Sequence, residues 1–142
     1  MKVVYNACHG GFSLSEAGVR RYAELKGLTL FKETNRFGDT WWLVPKEQRT
    51  GIIDGDGWST ASMDQRIASN KRYSEITLNP REIDRADAAL VQVVEELGDE
   101  ANGPFAQLRI SDVPAGSRYR IDEYDGAESV MTVDDYDWKV AI

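Results

Sequence analysis

The chain has 142 residues, 42% of them hydrophobic and 29% charged, with a formal net charge of −7, which suits one soluble globular domain. No apolar run approaches the roughly 20 residues of a membrane helix, and Met1-Lys2 leads into a strand pattern rather than a secretion signal; cytoplasmic residence and no membrane partner are expected. The negative charge disfavours direct nucleic-acid binding, and the single cysteine excludes an intramolecular disulfide and a cysteine-built zinc site.

Residues 2–6 are mostly apolar and predict a central strand. Ser13 and Glu16 have capping-box spacing, so a first helix opens there, places Leu14, Ala17, Tyr22 and Leu25 near one face, and stops at Gly27. Residues 28–33 and 40–44 read as a hairpin around the turn chemistry of 34–39. In a strand Trp41 and Trp42 point to opposite faces, so one is expected in the core and the other exposed or covered by a partner or a ligand. Residues 46–80 form an irregular segment, with a short helix at about 60–71 and a brief strand at 74–78. The run 53–57 resembles a calcium loop but lacks the ligand spacing and the closing glutamate, so no metal is expected.

Asp84 and Asp87 are both N-cap candidates for the strongest helix, 88–97, whose stripe is Leu90, Val91, Val94 and Leu97, with Ala101 beyond. Residues 105–110 alternate as a half-buried strand. Residues 119–124 and 128–131 pair across Asp125-Gly126, a strong short hairpin signal. The tail 132–142 is expected to dock or to move freely. Together these predict an α+β domain over 1–142, with a mainly antiparallel sheet of five to seven strands covered by two principal helices.

Candidate chemistry concentrates at the strand-to-helix turn, which holds the only histidine and the only cysteine. Free amides at a helix start and two adjacent glycines suit a carboxylate or phosphate. Asn6, His9, Gly10, Gly11, Phe12 and Ser13 would line one wall, Arg20 or Arg21 would neutralise charge, and Trp41, Trp42 or Tyr73 would stack on a base. Cys8 and His9 are adjacent on an extended segment and point apart, so a nucleophile–base pair is not expected. Glu95, Glu123, Asp125 and Glu128 are weighed as acid–base carboxylates, but solvated surface positions explain them better. No cofactor is implied.

The block Val3-Val4-Tyr5-Asn6-Ala7-Cys8-His9-Gly10-Gly11-Phe12-Ser13-Leu14-Ser15, the run 89–98 followed by Ala101-Asn102-Gly103, and the closing 121–128 resemble corresponding blocks of a family of small bacteriophage proteins. The resemblance covers about a third of the chain and brings no established catalytic residues. Tyrosine often stands at the position of His9 in that family, which argues against an obligatory catalytic histidine. The resemblance implies a viral protein acting in the bacterial host cell. The expectation is a homo-oligomeric anti-defence protein that sequesters a small anionic nucleotide-like ligand. A hydrolase of such a ligand, or an acidic inhibitor of a host protein, is the alternative.

Overall fold

A computed structural model describes residues 1–133 and 139–142. In chain order the elements are β1 (Lys2–Asn6), α1 (Glu16–Lys26), β2 (Phe31–Asn35), β3 (Gly38–Trp42), α2 (Gly57–Thr60), α3 (Met63–Ile76), β4 (Thr77–Leu78), α4 (Ala88–Leu97), β5 (Leu108–Asp112), β6 (Tyr119–Tyr124) and β7 (Ala127–Thr132). The four helices and seven antiparallel strands among the described residues make an α+β fold. The strands stand as three small sheets, ordered β1–β5, β2–β3–β4 and β6–β7, rather than as one sheet. The cause lies at the second edge of β1. The Val4 amide donates to the Arg85 carbonyl at 2.8 Å and the Asn6 amide to the Glu128 carboxylate at 2.8 Å. A loop and a side chain therefore close the edge that β7, packed beside β1, would otherwise extend.

The chain condenses as two compact units, one of residues 1–26 with 80–142 and one of 27–79. In the first, β1 pairs with β5 in the register Val3↔Ser111 and Val4↔Ile110. Val3 and Val4 are both fully buried, as are Leu90 and Val93 of α4. α1 packs on α4 and buries Val19, Tyr22 and Ala23. Each of these valines and leucines contributes about 1.5–3 kcal/mol by burial.

Ser15, not Ser13, caps α1: its hydroxyl accepts the Gly18 amide at 3.1 Å. Ser13 instead directs its hydroxyl at the Pro104 carbonyl. Gly27 ends α1 at φ 68°, where a Cβ would be strained. Of the two aspartates before α4, Asp87 is the cap, accepting the Ala89 and Leu90 amides at 2.8 and 3.2 Å. Lys26 also binds Asp87, at 2.8 Å. Burial alone would raise the Asp87 carboxyl, but Lys26 and the two amides hold it below its ordinary value. The predicted stripe of α4 widens to include Val93.

In the second unit, β2 and β3 form the expected hairpin, and β3 adds the two-residue β4. Both tryptophans are buried, Trp41 at 6% and Trp42 at 8% exposure, which corrects the expectation of one indole outside. Lys32 covers one face of Trp41 and Arg49 one face of Trp42. The helix expected at about 60–71 runs instead from Met63 to Ile76 and consumes most of the strand expected at 74–78. A Ser62–Gln65 capping box starts it. The strand expected from 105 begins at Leu108. Within the tail 132–142, Thr132 ends β7, residues 139–142 are exposed, and 134–138 lie outside the described residues. Among the described residues no helix is long and apolar enough to cross a membrane.

Candidate functional site

The turn after β1 is built around Asn6. This side chain is fully buried and its amide group is saturated. Nδ2 donates to the carbonyls of Cys8 at 2.7 Å and Gly126 at 2.9 Å, and Oδ1 accepts the Gln107 amide at 2.8 Å. Three distant stretches of chain therefore meet on one carboxamide. A buried polar group satisfied in this way fixes geometry, because losing any partner leaves an expensive orphan.

Glycines let the backbones close in. A Cβ on Gly10 would run into the carbonyl of Phe105, and one on Gly126 would strike the His9 carbonyl and lie 2.9 Å from the Gly11 amide. A Cβ on Gly103 would meet Ser13. The β6–β7 turn and the 103–105 turn thus sit directly on the glycine pair. The Ala7 amide is taken by the Gln107 carbonyl at 2.7 Å. The expected cradle is filled from above by this protein's own backbone. Gly11 is the exception: it has φ 86°, with open space where its Cβ would be.

Beneath the turn, Phe12 is buried, with the Arg85 guanidinium 3.4 Å from its ring centre. The same guanidinium pairs with Glu128 at 2.6 Å. Glu128 is 10% exposed at its side chain, so the expectation of a solvated carboxylate is corrected. It is an internal counter-ion that also receives the Asn6 amide.

The predicted residues do not converge on one wall. Asn6 and Phe12 are interior. Arg20 is held by Glu16 at 2.9 Å. Arg21 grips Glu96 through two nitrogens at 2.7 and 3.2 Å and reaches Glu24 at 3.0 Å. Arg21, with Gln92, pulls the Glu96 carboxyl down to about 2. Both arginines are thus neutralised by carboxylates on the helices. Trp42 and Tyr73 belong to the other unit, where they meet edge to face at 5.5 Å. Trp42 is covered, and Tyr73 is 41% exposed.

What the turn does present is aromatic surface. His9 is exposed, its Nδ1 lies 3.2 Å from the Asp125 carbonyl, and its ring meets Tyr124 edge-on at 6.4 Å. Tyr124 is 80% exposed and Phe105 85%. Phe105 has φ 65°, a left-handed conformation that costs a non-glycine residue about 1–2 kcal/mol. Its carbonyl faces Gly10 and accepts the Cys8 thiol at 2.9 Å. Sequence alternation alone assigned Phe105 to a strand. The sequence signal for a loop was Gly103-Pro104 immediately before it.

Two hollows lined by described residues lie away from this turn. One of about 440 Å³ lies between Met1, Lys2 and the Ala88–Glu95 face of α4. Another of about 470 Å³ lies between 51–61 and α3. Both are open and shallow. No group of three or more His, Cys, Asp or Glu side chains among the described residues is placed to hold a metal. The chain matches no known protein family, no curated protein and no solved structure.

Proposed function

We propose that this protein works by binding another protein, through the face made by His9, Phe105 and Tyr124. The resemblance to bacteriophage proteins supports an accessory protein that acts in the cytoplasm of an infected bacterium and inhibits a host factor. The carrying observation is Phe105. A large ring is held in solvent by a backbone in a disfavoured conformation, and such strain persists where its surroundings enforce it and function uses it. Exposed aromatics on a rigid support are the residues that dominate protein interfaces. The turn offers a small anion little: Gly126 and Phe105 pack on its backbone at His9 and Gly10, and the Arg85 guanidinium beneath it is engaged by Glu128.

A second reading keeps the nucleotide-like ligand. It is favoured by the open space in front of Gly11, next to the exposed rings of His9 and Tyr124, on which a base could stack. One pair of experiments separates the readings. Immobilised protein is exposed to host lysate, with a Phe105→Ser/Tyr124→Ser variant in parallel. The protein-binding reading predicts a host protein retained near stoichiometry by the unaltered chain and lost with the variant. The ligand reading predicts instead that nucleotides or cyclic dinucleotides raise the melting temperature. Mass spectrometry of the ligand released on denaturation then distinguishes capture from cleavage.

A further inference from the structure

Among the described residues α3 is the longest helix, and it carries few buried residues: of fourteen, Ser69 and Ile76. Its inward face is well defined. The Ser69 hydroxyl receives the Ile53 amide at 2.9 Å, Arg72 donates to the carbonyls of Thr50 and Gln48 at 3.1 and 3.3 Å, and Ile76 is 3% exposed. About 200° around the helix from these positions run Met63, Ile67, Asn70 and Ser74. Met63 is 68% exposed and Ile67 59%. The spacing of four, three and four is that of the seam along which two helices pack as a coiled coil.

One flank of this seam carries Asp64 and Lys71. They stand roughly 10 Å apart along the axis, two turns of helix, so they do not pair with each other. Neither has an ion pair with any other described residue. In an antiparallel pair of α3 helices related by a two-fold axis near Ile67, Asp64 of each copy faces Lys71 of the other. One registry then satisfies both charges twice and brings the two Ile67 side chains together, with each Met63 over Asn70 and Ser74 of the second copy.

The charge distribution points to the same occupant. Residues 27–79 hold seven acidic and seven basic side chains, so the whole excess of −7 belongs to the other unit. Identical copies repel wherever a like-charged surface meets itself, and a neutral surface with self-complementary flanks removes that repulsion.

We propose that α3 is a self-association surface on which a second copy of this chain docks antiparallel. A seam of fourteen residues buries less than the roughly 1,200 Å² at the low end of standard interfaces, so the dimer forms at micromolar concentrations and above. The test is sedimentation velocity on the full chain from micromolar to millimolar concentration, with helix content followed by circular dichroism. The unaltered chain is expected to move from monomer to dimer. Asp64→Lys alone, and Lys71→Asp alone, are each expected to weaken the dimer about tenfold or more, since each reversal turns two attractions into repulsions. Asp64→Lys combined with Lys71→Asp is expected to restore it. Asp64→Lys places a cation in the first helical turn, which is why Lys71→Asp serves as the independent arm. A chain that stays monomeric throughout, or a double variant no better than the singles, would overturn the proposal.

Discussion

The Asn6 carboxamide binds the carbonyl of Gly126 at 2.9 Å across 120 residues of sequence. That contact joins the end of the first strand to the tip of the last hairpin. It brings Tyr124 beside His9 and sets the Gly126 backbone against the carbonyl of His9. The proposed recognition through an exposed face rests on this packing.

The closeness of these backbones makes glycine substitution costly in a graded way. Gly126→Ala combines a φ of 87° with a collision against His9, and about 2–3 kcal/mol of stability is expected to be lost. Gly116→Ala has a similar φ of 82° but open space around it, so about 1 kcal/mol is expected. Urea unfolding of the two variants measures the difference, which is the cost of the collision alone.

Arg85 and Glu128 act as one unit with Phe12 and the Asn6 amide. Removing either partner leaves a largely buried charge without its counter-ion, and Arg85→Ala or Glu128→Ala is expected to cost about 2–3 kcal/mol. The double variant should cost clearly less than the two losses added together. A double-mutant cycle by chemical denaturation reads this coupling, and strict additivity would show the pair to be idle.

Acid should loosen the α1–α4 junction. Asp87 and Glu96 both have carboxyl groups held below their ordinary values by Lys26 and Arg21. A carboxylate lowered in the fold stabilises it above the ordinary carboxylate range, and that contribution fades as pH falls through the lowered value. For Glu96 the fade reaches down to about pH 2. Melting temperature is therefore expected to fall between pH 5 and pH 2, and to fall less in an Asp87→Asn/Glu96→Gln variant. Asp87→Ala removes the cap as well, costing about 1–2 kcal/mol at neutral pH.

Local chemistry was legible in the sequence. The Asp125-Gly126 hairpin, the stop at Gly27 and the apolar stripe of the 88–97 helix each depend on neighbours within a few residues, and the α+β class with antiparallel strands followed from them. The Ser62–Gln65 capping box is equally local and marks the true start of α3. What could not be read was non-local. Asn6 draws partners from residues 107 and 126, and Glu128 looks like any hairpin glutamate until Arg85 reaches it. Phe105 alternates correctly with its successors and is bent out of the strand pattern by contact with Gly10. Trp41 and Trp42 alternate as strand residues should, but cations cover both faces of β3.

Phe105→Gly tests the central claim most directly, because it sets stability against recognition. Glycine accepts the left-handed backbone without strain and offers no ring, so a gain of up to about 1 kcal/mol is expected. Quantitative capture from host lysate, run on this variant beside the unaltered chain, is the decisive measurement. The account predicts that the better-folded variant loses its host protein at least about tenfold. Capture that continues undiminished without the Phe105 ring would contradict it.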